Sequence, residues 1–524
     1  MKKLFILALA VLGFFGVKAQ QPGTLDENFG IDGFAVFDIT GSGKGDVIYD
    51  IMALEGGKVL VAGPSKQTSG DQLFTVARLN ADGSLDATFG QGGVVAFNPT
   101  GFYGNFPEEI ALTSDESYVI GGYTYDLNSG LTNYILVKLF IDGSRDVNFG
   151  VDGVVLGSDA LPRFQINTLK TSAEGKIVAG GYLNSPDMAA VMMFNEDGSI
   201  DVTFGENGVA YIEVHESFGN SIVKDLAIQE DGKIVVAGMY YYQPEEQVSI
   251  QHGYTARFNA DGTLDATYGT EGIVEFSVGD GPNFMETIGI DPMGKIVVGG
   301  DYWVENEPLQ YDCYVARFND DGTLDSSFGT AGMSRFCPKQ GYSNYVVDIA
   351  TAPDSTYYVT GPAIVYPYVS DYYVACFDEN GNLNADFGNG GFYLYESTPL
   401  KDIYAIDIAS DNKIVLGGSL ADAQYFNDFM VTRIYSDITG FDAIADIDQA
   451  HFSIYPNPSA DFISITLSDE KTYKAEVVDM SGRVVMVAEV NNGTRLNVSG
   501  LNAGNYFLVL TDGANQKVAR INKQ

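Results

Sequence analysis

The sequence predicts an all-β chain: a seven-bladed β-propeller closed by an N-terminal strand, followed by a small Ig-like β-sandwich. Three observations carry this. An aromatic-glycine pair recurs at Phe29-Gly30, Phe89-Gly90, Phe149-Gly150, Phe204-Gly205, Tyr268-Gly269, Phe328-Gly329 and Phe387-Gly388, at spacings of 60, 60, 55, 64, 60 and 59 residues. Self-similarity at such a period marks a repeat architecture. Each repeat holds four short β-rich runs bounded by Gly, Asp and Asn, which read as strands. The chain also begins in mid-repeat, with a Phe-Gly turn and a strand before any inner strand has appeared.

Residues 285–336 show one unit in full. Its runs are Glu286 to Asp291, Lys295 to Gly300, Cys313 to Asn319 and Gly332 to Phe336, the first two joined by a tight Pro-Met-Gly turn. The second run recurs as KVLVAG, YVIGG, KIVAGG, KIVVAG, KIVVGG, YYVTG and KIVLGG, and the third as FTVARLN, YILVKLF, AVMMFN, YTARFN, YVARFN, YVACFD and MVTRIY. Four-stranded antiparallel sheets repeated radially form propeller blades. The last repeat, Lys401 to Tyr435, lacks its fourth strand, and Phe34 to Phe37 is expected to supply it. Such closure leaves no exposed edge strand to template aggregation.

Comparison among the repeats separates frame from variable surface. From Arg78, Lys138, Met193, Arg257, Arg317 and Cys376 to the next aromatic of the pair is always eleven residues. From Gly63, Gly122, Gly181, Gly238, Gly300, Gly361 and Gly418, read as ending the second strand, to the same third-strand position takes 15, 16, 12, 19, 17, 15 and 15. In an up-and-down blade the second-to-third loops and the blade-to-blade loops share one face, so variation maps there, and that is the face expected to bind. Its candidate ligand-binding residues are Tyr240, Tyr241, Tyr242, Tyr302, Trp303, Tyr366, Tyr368, Tyr425 and Phe426, with Phe102, Tyr103 and Phe106 in a blade-to-blade loop. Exposed aromatics beside acids and amides suit glycan or protein recognition; packing of loops onto blade ends is the alternative.

The balance of 29 basic against 69 acidic residues repels nucleic acid and anionic membrane surfaces. Three cysteines exclude a disulfide framework; Cys313 and Cys337, in adjacent strands, are either bridged or free thiols. The N-x-D-G-x-x-D pattern, as in Asn80, Asp82, Gly83 and Asp86, resembles a calcium loop, but Arg78, Lys138, Arg257 or Arg317 stands where such a loop wants another oxygen. It reads instead as a hydrogen-bonded turn, and Asn384 in the last copy keeps the acceptor without the charge. No metal or cofactor is expected. His215, His252 and His451 fall in expected loops or linker and form no evident metal site or triad, and no catalytic residue is assigned. An acidic dyad acting on polysaccharide is the enzymatic alternative, and a passive surface scaffold is the third.

The passages RLNADGSLDATFGQGGVV and RFNADGTLDATYGTEGIVEF resemble the delta-60 repeat of bacterial secreted proteins, itself similar to NHL-type propeller repeats, over residues 22–436. After a linker at 437–452, residues 453–524 resemble the type A sorting domain of the Bacteroidota type IX secretion system. The matching residues are Tyr455, Pro456, Asn457 and Pro458, the Asp479, Gly482 and Arg483 turn, Leu501, Gly504, Tyr506 and Phe507, and the basic end from Lys517. That resemblance implies recognition by the outer-membrane translocon and usually cleavage of the terminal domain. Residues 1–19 have the charged start, apolar run and small-residue site of a cleaved signal peptide, and no later stretch is long and apolar enough to span a bilayer as a helix. The expected product is exported through the periplasm and is secreted or held at the outer surface, where it binds a glycan or protein.

Overall fold

The computed structural model describes residues 21–523 apart from 44, 100, 102, 127–130, 158–162, 185–186, 215–220, 243–249, 306–309, 366–368, 397–400, 422–426, 437–451, 456–461, 468–470, 480–483, 502–503 and 512–515. The signal segment 1–19 and nearly all of the 437–452 linker thus lie outside the described residues. The chain divides into two compact units, Met1–Asp437 and Ile438–Gln524.

Seven antiparallel sheets build the first unit. Their innermost strands, here strand a of blades 1 to 7, are Asp50–Ala53, Gly104–Leu112, Phe164–Thr171, Ser221–Ile228, Asn283–Ile290, Asp348–Thr351 and Lys401–Ile408. Strand b is Val59–Lys66, Tyr118–Asp126, Ile177–Asn184, Ile234–Tyr242, Ile296–Trp303, Tyr357–Val365 and Lys413–Ala421. Strand c is Gln72–Leu79, Leu131–Leu139, Asp187–Phe194, Ile250–Phe258, Tyr311–Phe318, Val369–Phe377 and Asn427–Tyr435. The outer strand d is Val94–Phe97, Val154–Leu156, Val209–Tyr211, Ile273–Phe276, Met333–Phe336 and Phe392–Tyr395 in blades 1 to 6, and Phe34–Phe37 in blade 7. Each strand a packs against the strand a of the next blade, and that of blade 7 returns to that of blade 1, so the inner strands ring a central channel. The hydrophobic core lies between blades. Ile48, Ile51 and Val61 of blade 1, for example, meet Ala405, Val415 and Phe429 of blade 7.

The N-terminal strand closes the ring as the sequence predicts. Phe34 to Phe37 pairs antiparallel with Thr432 to Phe429. Just ahead of it, Gly23 N–H donates to the Tyr435 carbonyl at 2.8 Å and Asp26 N–H to that of Arg433 at 2.8 Å.

The repeated aromatic-glycine pair proves to be a latch between blades. Every aromatic of the pair is buried. The glycine after it has positive φ, 60° at Gly30 and 52° at Gly90, and donates its N–H to the turn of the next blade: Gly90 to Asp142, Gly205 to Asp261 and Gly269 to Asp321, at 2.8 to 2.9 Å. The strand-c arginine lies over the aromatic ring at 4.7 to 4.8 Å in Arg78–Phe89, Arg257–Tyr268, Arg317–Phe328 and Arg433–Phe29. It also pairs with the turn aspartate: Arg78–Asp86 at 2.8 Å, Arg317–Asp325 at 3.0 Å and Arg433–Asp26 at 2.8 Å. A role confined to hydrogen bonding, inferred from Asn384, is therefore corrected. The aspartate carries both jobs, and where Asn384 loses the charge, Cys376 has replaced the arginine.

Two further expectations change, and the open choice for the cysteines falls to free thiols. The strand-b glycines lie within that strand, not at its end. A register shift marks a β-bulge in strand a opposite them, between Pro107 and Glu109 or between Met285 and Thr287 for example. A Cβ on Gly122 or Gly300 would sit 2.0 Å from the carbonyl oxygen of Phe106 or Phe284, so only glycine fits beside the bulge. Strands b and c consequently run past the expected loop boundary, and His252 belongs to strand c of blade 4. Cys313, Cys337 and Cys376 are free thiols. Cys313 faces Phe336 in register, which directs the next residue, Cys337, to the other side of the sheet.

The second unit holds a three-stranded antiparallel sheet (Phe452–Tyr455, Phe462–Leu467, Arg495–Asn497) and a four-stranded one (Val484–Val490, Tyr473–Asp479, Gly504–Thr511, Gln516–Lys523). Ile463 and Ile465 of one share a core with Val477, Leu508, Leu510 and Ile521 of the other, two packed sheets as expected of a small β-sandwich.

Candidate functional site

Two turns of geometry define the ends of the propeller. The a–b turns and the latched c–d connections close one end; the b–c and d–a loops crowd the other, where the aromatic candidates were expected. Tyr240 is the clearest departure: it belongs to strand b of blade 4, is buried, and donates its hydroxyl to Glu275 at 2.7 Å. Tyr241 beside it is 37% exposed. Tyr302 and Trp303 end strand b of blade 5 and are half-buried. Arg335 lies 5.1 Å over the Tyr302 ring, and Trp303 packs so closely on Gly281 that a Cβ there would stand 2.5 Å from its ring. Tyr103 is half-buried and Phe106 belongs to strand a of blade 2. Tyr242 ends strand b of blade 4, and Tyr366, Tyr368, Tyr425, Phe426 and Phe102 lie outside the described residues. In the second unit Tyr506 is buried and pairs with Ile521, Lys517 pairs with Leu510, Gly504 with Lys523, and Tyr455 with Ser464; Pro456, Asn457, Pro458 and Gly482 lie outside the described residues.

The channel holds the chemistry that the sequence reading passed over. Thirteen residues ahead of the strand-b glycine, just after the bulge, four repeats carry an acid: Asp50, Glu109, Asp225 and Asp348. Each accepts a main-chain N–H from the next blade: Ile110 to Asp50 at 2.7 Å, Leu169 to Glu109 at 2.7 Å, Ile288 to Asp225 at 2.9 Å and Ile406 to Asp348 at 2.9 Å. Blades 3 and 5 have threonine here; the Thr168 hydroxyl donates to Asp225 at 3.0 Å and that of Thr287 to Asp348 at 3.3 Å. Blade 7 has Ala405, and Asp407 two residues on takes the N–H of Ala53 at 2.8 Å instead. A belt of side-chain bonds thus crosses all seven blade interfaces. Lys170 reaches into it from blade 3 and pairs with Glu109. Burial raises Asp50, Glu109, Asp407 and Asp348, the last to about 7, while Lys170 pulls each of them back.

Toward the variable end, the bulge itself presents Tyr49, Glu108, Asn167, Lys224, Glu286, Val347 and Tyr404 by position in the repeat. The Tyr49 and Tyr404 rings meet edge to face at 5.8 Å, and Phe106 stacks on Tyr123 at 4.7 Å. Lys224 pairs with Glu286 at 2.7 Å. Glu108 stands between the tyrosines and that ion pair; burial, offset in part by Lys224, pushes its carboxyl up to about 8. Among the described residues no group of three or more His, Cys, Asp or Glu side chains is placed to hold a metal ion.

Residues 453–524 match the secretion system C-terminal sorting domain. Residues 57–89, 173–204, 229–268 and 294–328 match the Domain of unknown function (DUF5122) beta-propeller. Each of those stretches runs from the a–b turn to the aromatic of the pair, the latched half of a repeat. None of the curated proteins matches the chain. Among solved structures, the chain is similar to the β-propeller domain of the Trilobed protease from Pyrococcus furiosus, at 10% identity and a TM-score of 0.40, over 74% of this chain and 93% of that one. It is similar to a protein of unknown function from Dyadobacter fermentans, at 9% identity and a TM-score of 0.38, over 78% and 100%. A third is Penicillium chrysogenum α-L-arabinanase, at 11% identity and a TM-score of 0.39, over 62% and 92%. No helix of the described residues is long and apolar enough to cross a membrane. The chain joins β-propeller repeats of this unknown-function kind to a sorting domain that directs it through type IX secretion to the cell surface or the extracellular space.

Proposed function

We propose that this exported propeller is a recognition protein that captures an extracellular glycan or protein at its variable-loop end. One asymmetry carries the reading. The other end is given over to latches, the aromatics of its seven pairs buried and its turn acids tied to arginine and lysine, with Phe140 of the blade 2 turn an exposed ring there. The variable end keeps aromatic side chains partly open to solvent, Tyr241 and Trp303 at the blade tops and Tyr49 and Tyr404 at the channel mouth. Half-exposed rings supply contact area at low entropic cost. A catalytic reading would need a second free carboxyl opposite Glu108. The neighbouring acids are engaged, Asp50, Glu109, Asp225, Asp348 and Asp407 by main-chain N–H groups and Glu286 by Lys224.

The test is a screen of the full-length exported protein against arrayed glycans and surface proteins. Wild type is expected to bind at least one class, a variant altered at the variable end to lose it, and Thr263→Ala, in the latched-end turn where the Thr263 hydroxyl donates to Asp261 at 2.6 Å, to keep it. A wild type that binds nothing, present at the abundance of a coat component, would establish the passive scaffold instead.

A further inference from the structure

Resting on the recognition reading, we propose that the ligand site is the channel mouth between blades 7, 1, 2 and 3, and that it takes a neutral glycan. The site is built from rings and uncommitted polar atoms. Tyr404 and Tyr49 meet edge to face at 5.8 Å, and Tyr123 stacks with Phe106 at 4.7 Å, so two aromatic pairs flank the opening. Glu108 lies close enough to act on both tyrosines: burial and the Glu108 charge together push the Tyr49 hydroxyl up to about 12 and raise that of Tyr123. Tyr182, whose hydroxyl donates to Gln165 at 2.9 Å, continues the group onto blade 3.

Glu108 is the telling residue. It is the bulged residue of strand a in blade 2, which aims it into the channel, and the neighbouring acid, Glu109, is held by Leu169 and Lys170. Glu108 itself has no hydrogen-bonding partner among the described residues, and neither have the hydroxyls of Tyr49, Tyr123 and Tyr404. Half-buried polar atoms without protein partners are costly to maintain and are satisfied by water or by a ligand.

Charge selects the ligand class. Lys224, the cation that acts on this acid, is committed to Glu286 at 2.7 Å and is not free to meet an anionic sugar. Burial holds Glu108 protonated near neutrality, so it offers a hydrogen bond more readily than a counter-ion to a cation. Rings for the C–H faces of a sugar, with hydroxyls and a neutral carboxyl for its hydroxyl groups, fit an uncharged saccharide.

Calorimetry on the full-length protein tests this with cellohexaose, xylohexaose, mannohexaose and laminarihexaose, beside an oligogalacturonate and a chitosan oligomer as charged probes. At least one neutral chain is expected to bind. Tyr123→Ala and Glu108→Ala should weaken it about tenfold or more, and Glu108→Gln, which keeps a neutral donor and acceptor, by no more than about threefold. Thr263→Ala at the latched end should leave it unchanged, and Tyr302→Ala with Trp303→Ala is the variant for the rival site at the blade 5 loop. Tyr123→Phe, which removes only the hydroxyl, serves if the alanine variant does not fold. Binding of only the charged probes, or of no saccharide, overturns the inference. Binding that survives Tyr123→Ala and Glu108→Ala but falls with the Tyr302 and Trp303 pair also overturns it, while leaving the recognition reading intact.

Discussion

The N–H of Gly388 donates to the carbonyl of Pro22 at 3.0 Å, so the last interior latch of the ring is made to the extreme N-terminus of the propeller. Pro22-Gly23 stands where five other repeats have Asp-Gly and one has Asn380-Gly381, and a Cβ on Gly23 would fall 2.3 Å from the nitrogen of Gly388. Around this point Asp26, 1% exposed, meets Arg433 at 2.8 Å, the Tyr435 hydroxyl at 2.7 Å and Lys413 at 3.3 Å.

Asp26→Ala is therefore expected to act as a closure defect. It strands a buried guanidinium, an effect of about 3–5 kcal/mol where one member of a buried pair is removed. Chemical denaturation should show that loss, and limited proteolysis should show cleavage beginning in residues 23–37. An unchanged midpoint would mean that the ring does not depend on its N-terminal strand.

Gly361→Ala tests the bulge. Its Cβ would stand 1.9 Å from the Tyr345 carbonyl oxygen, and relief requires moving the chain that leads into the inner strand of blade 6. A loss of about 3 kcal/mol is expected. Gly45→Ala is the control, since nothing lies within 4 Å of a Cβ there, and should change stability by less than about 0.5 kcal/mol.

The frame was legible in the sequence because the same physical demand is met seven times. Repetition exposes each glycine, each buried aromatic and the missing fourth strand of the last repeat without any structure. Strand ends were less legible, because Gly300 and its equivalents look like terminators while actually sitting opposite a bulge. That misreading moved Tyr240, Tyr302 and Trp303 into loops. The channel belt was discoverable, since Asp50, Glu109, Asp225 and Asp348 keep a fixed distance from the strand-b glycine. What no spacing reveals is which acid stays free. Glu108 and Glu109 are adjacent in sequence, and only the bulge separates their fates.

Blade 6 offers a test of the latch by repair. Where blades 1, 4, 5 and 7 hold the strand-c arginine over the aromatic, Tyr358 packs against Phe387 at 5.7 Å, and Cys376 faces Tyr358 in register. The corresponding strand-b residue is Leu60 beside Arg78 and Val297 beside Arg317. Asn384→Asp with Cys376→Arg is expected to destabilise while Tyr358 fills the space. Adding Tyr358→Val should turn the coupling between the other two favourable by about 1 kcal/mol or more. Purely additive effects in the mutant cycle would show that blade 6 does not share the latch geometry.

Two sets of carboxyls predict a stability maximum in mild acid. The latch aspartates are depressed: at Asp26 burial opposes, but the Tyr435 hydroxyl, Arg433 and Lys413 outweigh it, and at Asp201 the Lys176 bond leads in holding the carboxyl at about 2. Such groups contribute stability above the ordinary aspartate range and lose it as pH falls through their folded values. The channel carboxyls run the other way. Asp348, raised by burial to about 7, binds its proton more tightly folded than unfolded. Its contribution is complete below the unfolded value of about 4 and disappears as pH rises through the folded one. Thermal melting across this range should therefore peak near pH 5, by about one unit either way. Asp348→Asn should flatten the decline between pH 5 and 8 and leave the acid limb in place, whereas Asp201→Asn should blunt only the acid limb. A decline of equal slope in Asp348→Asn would assign the alkaline loss to the general negative charge of the chain, formally −40, and not to the belt.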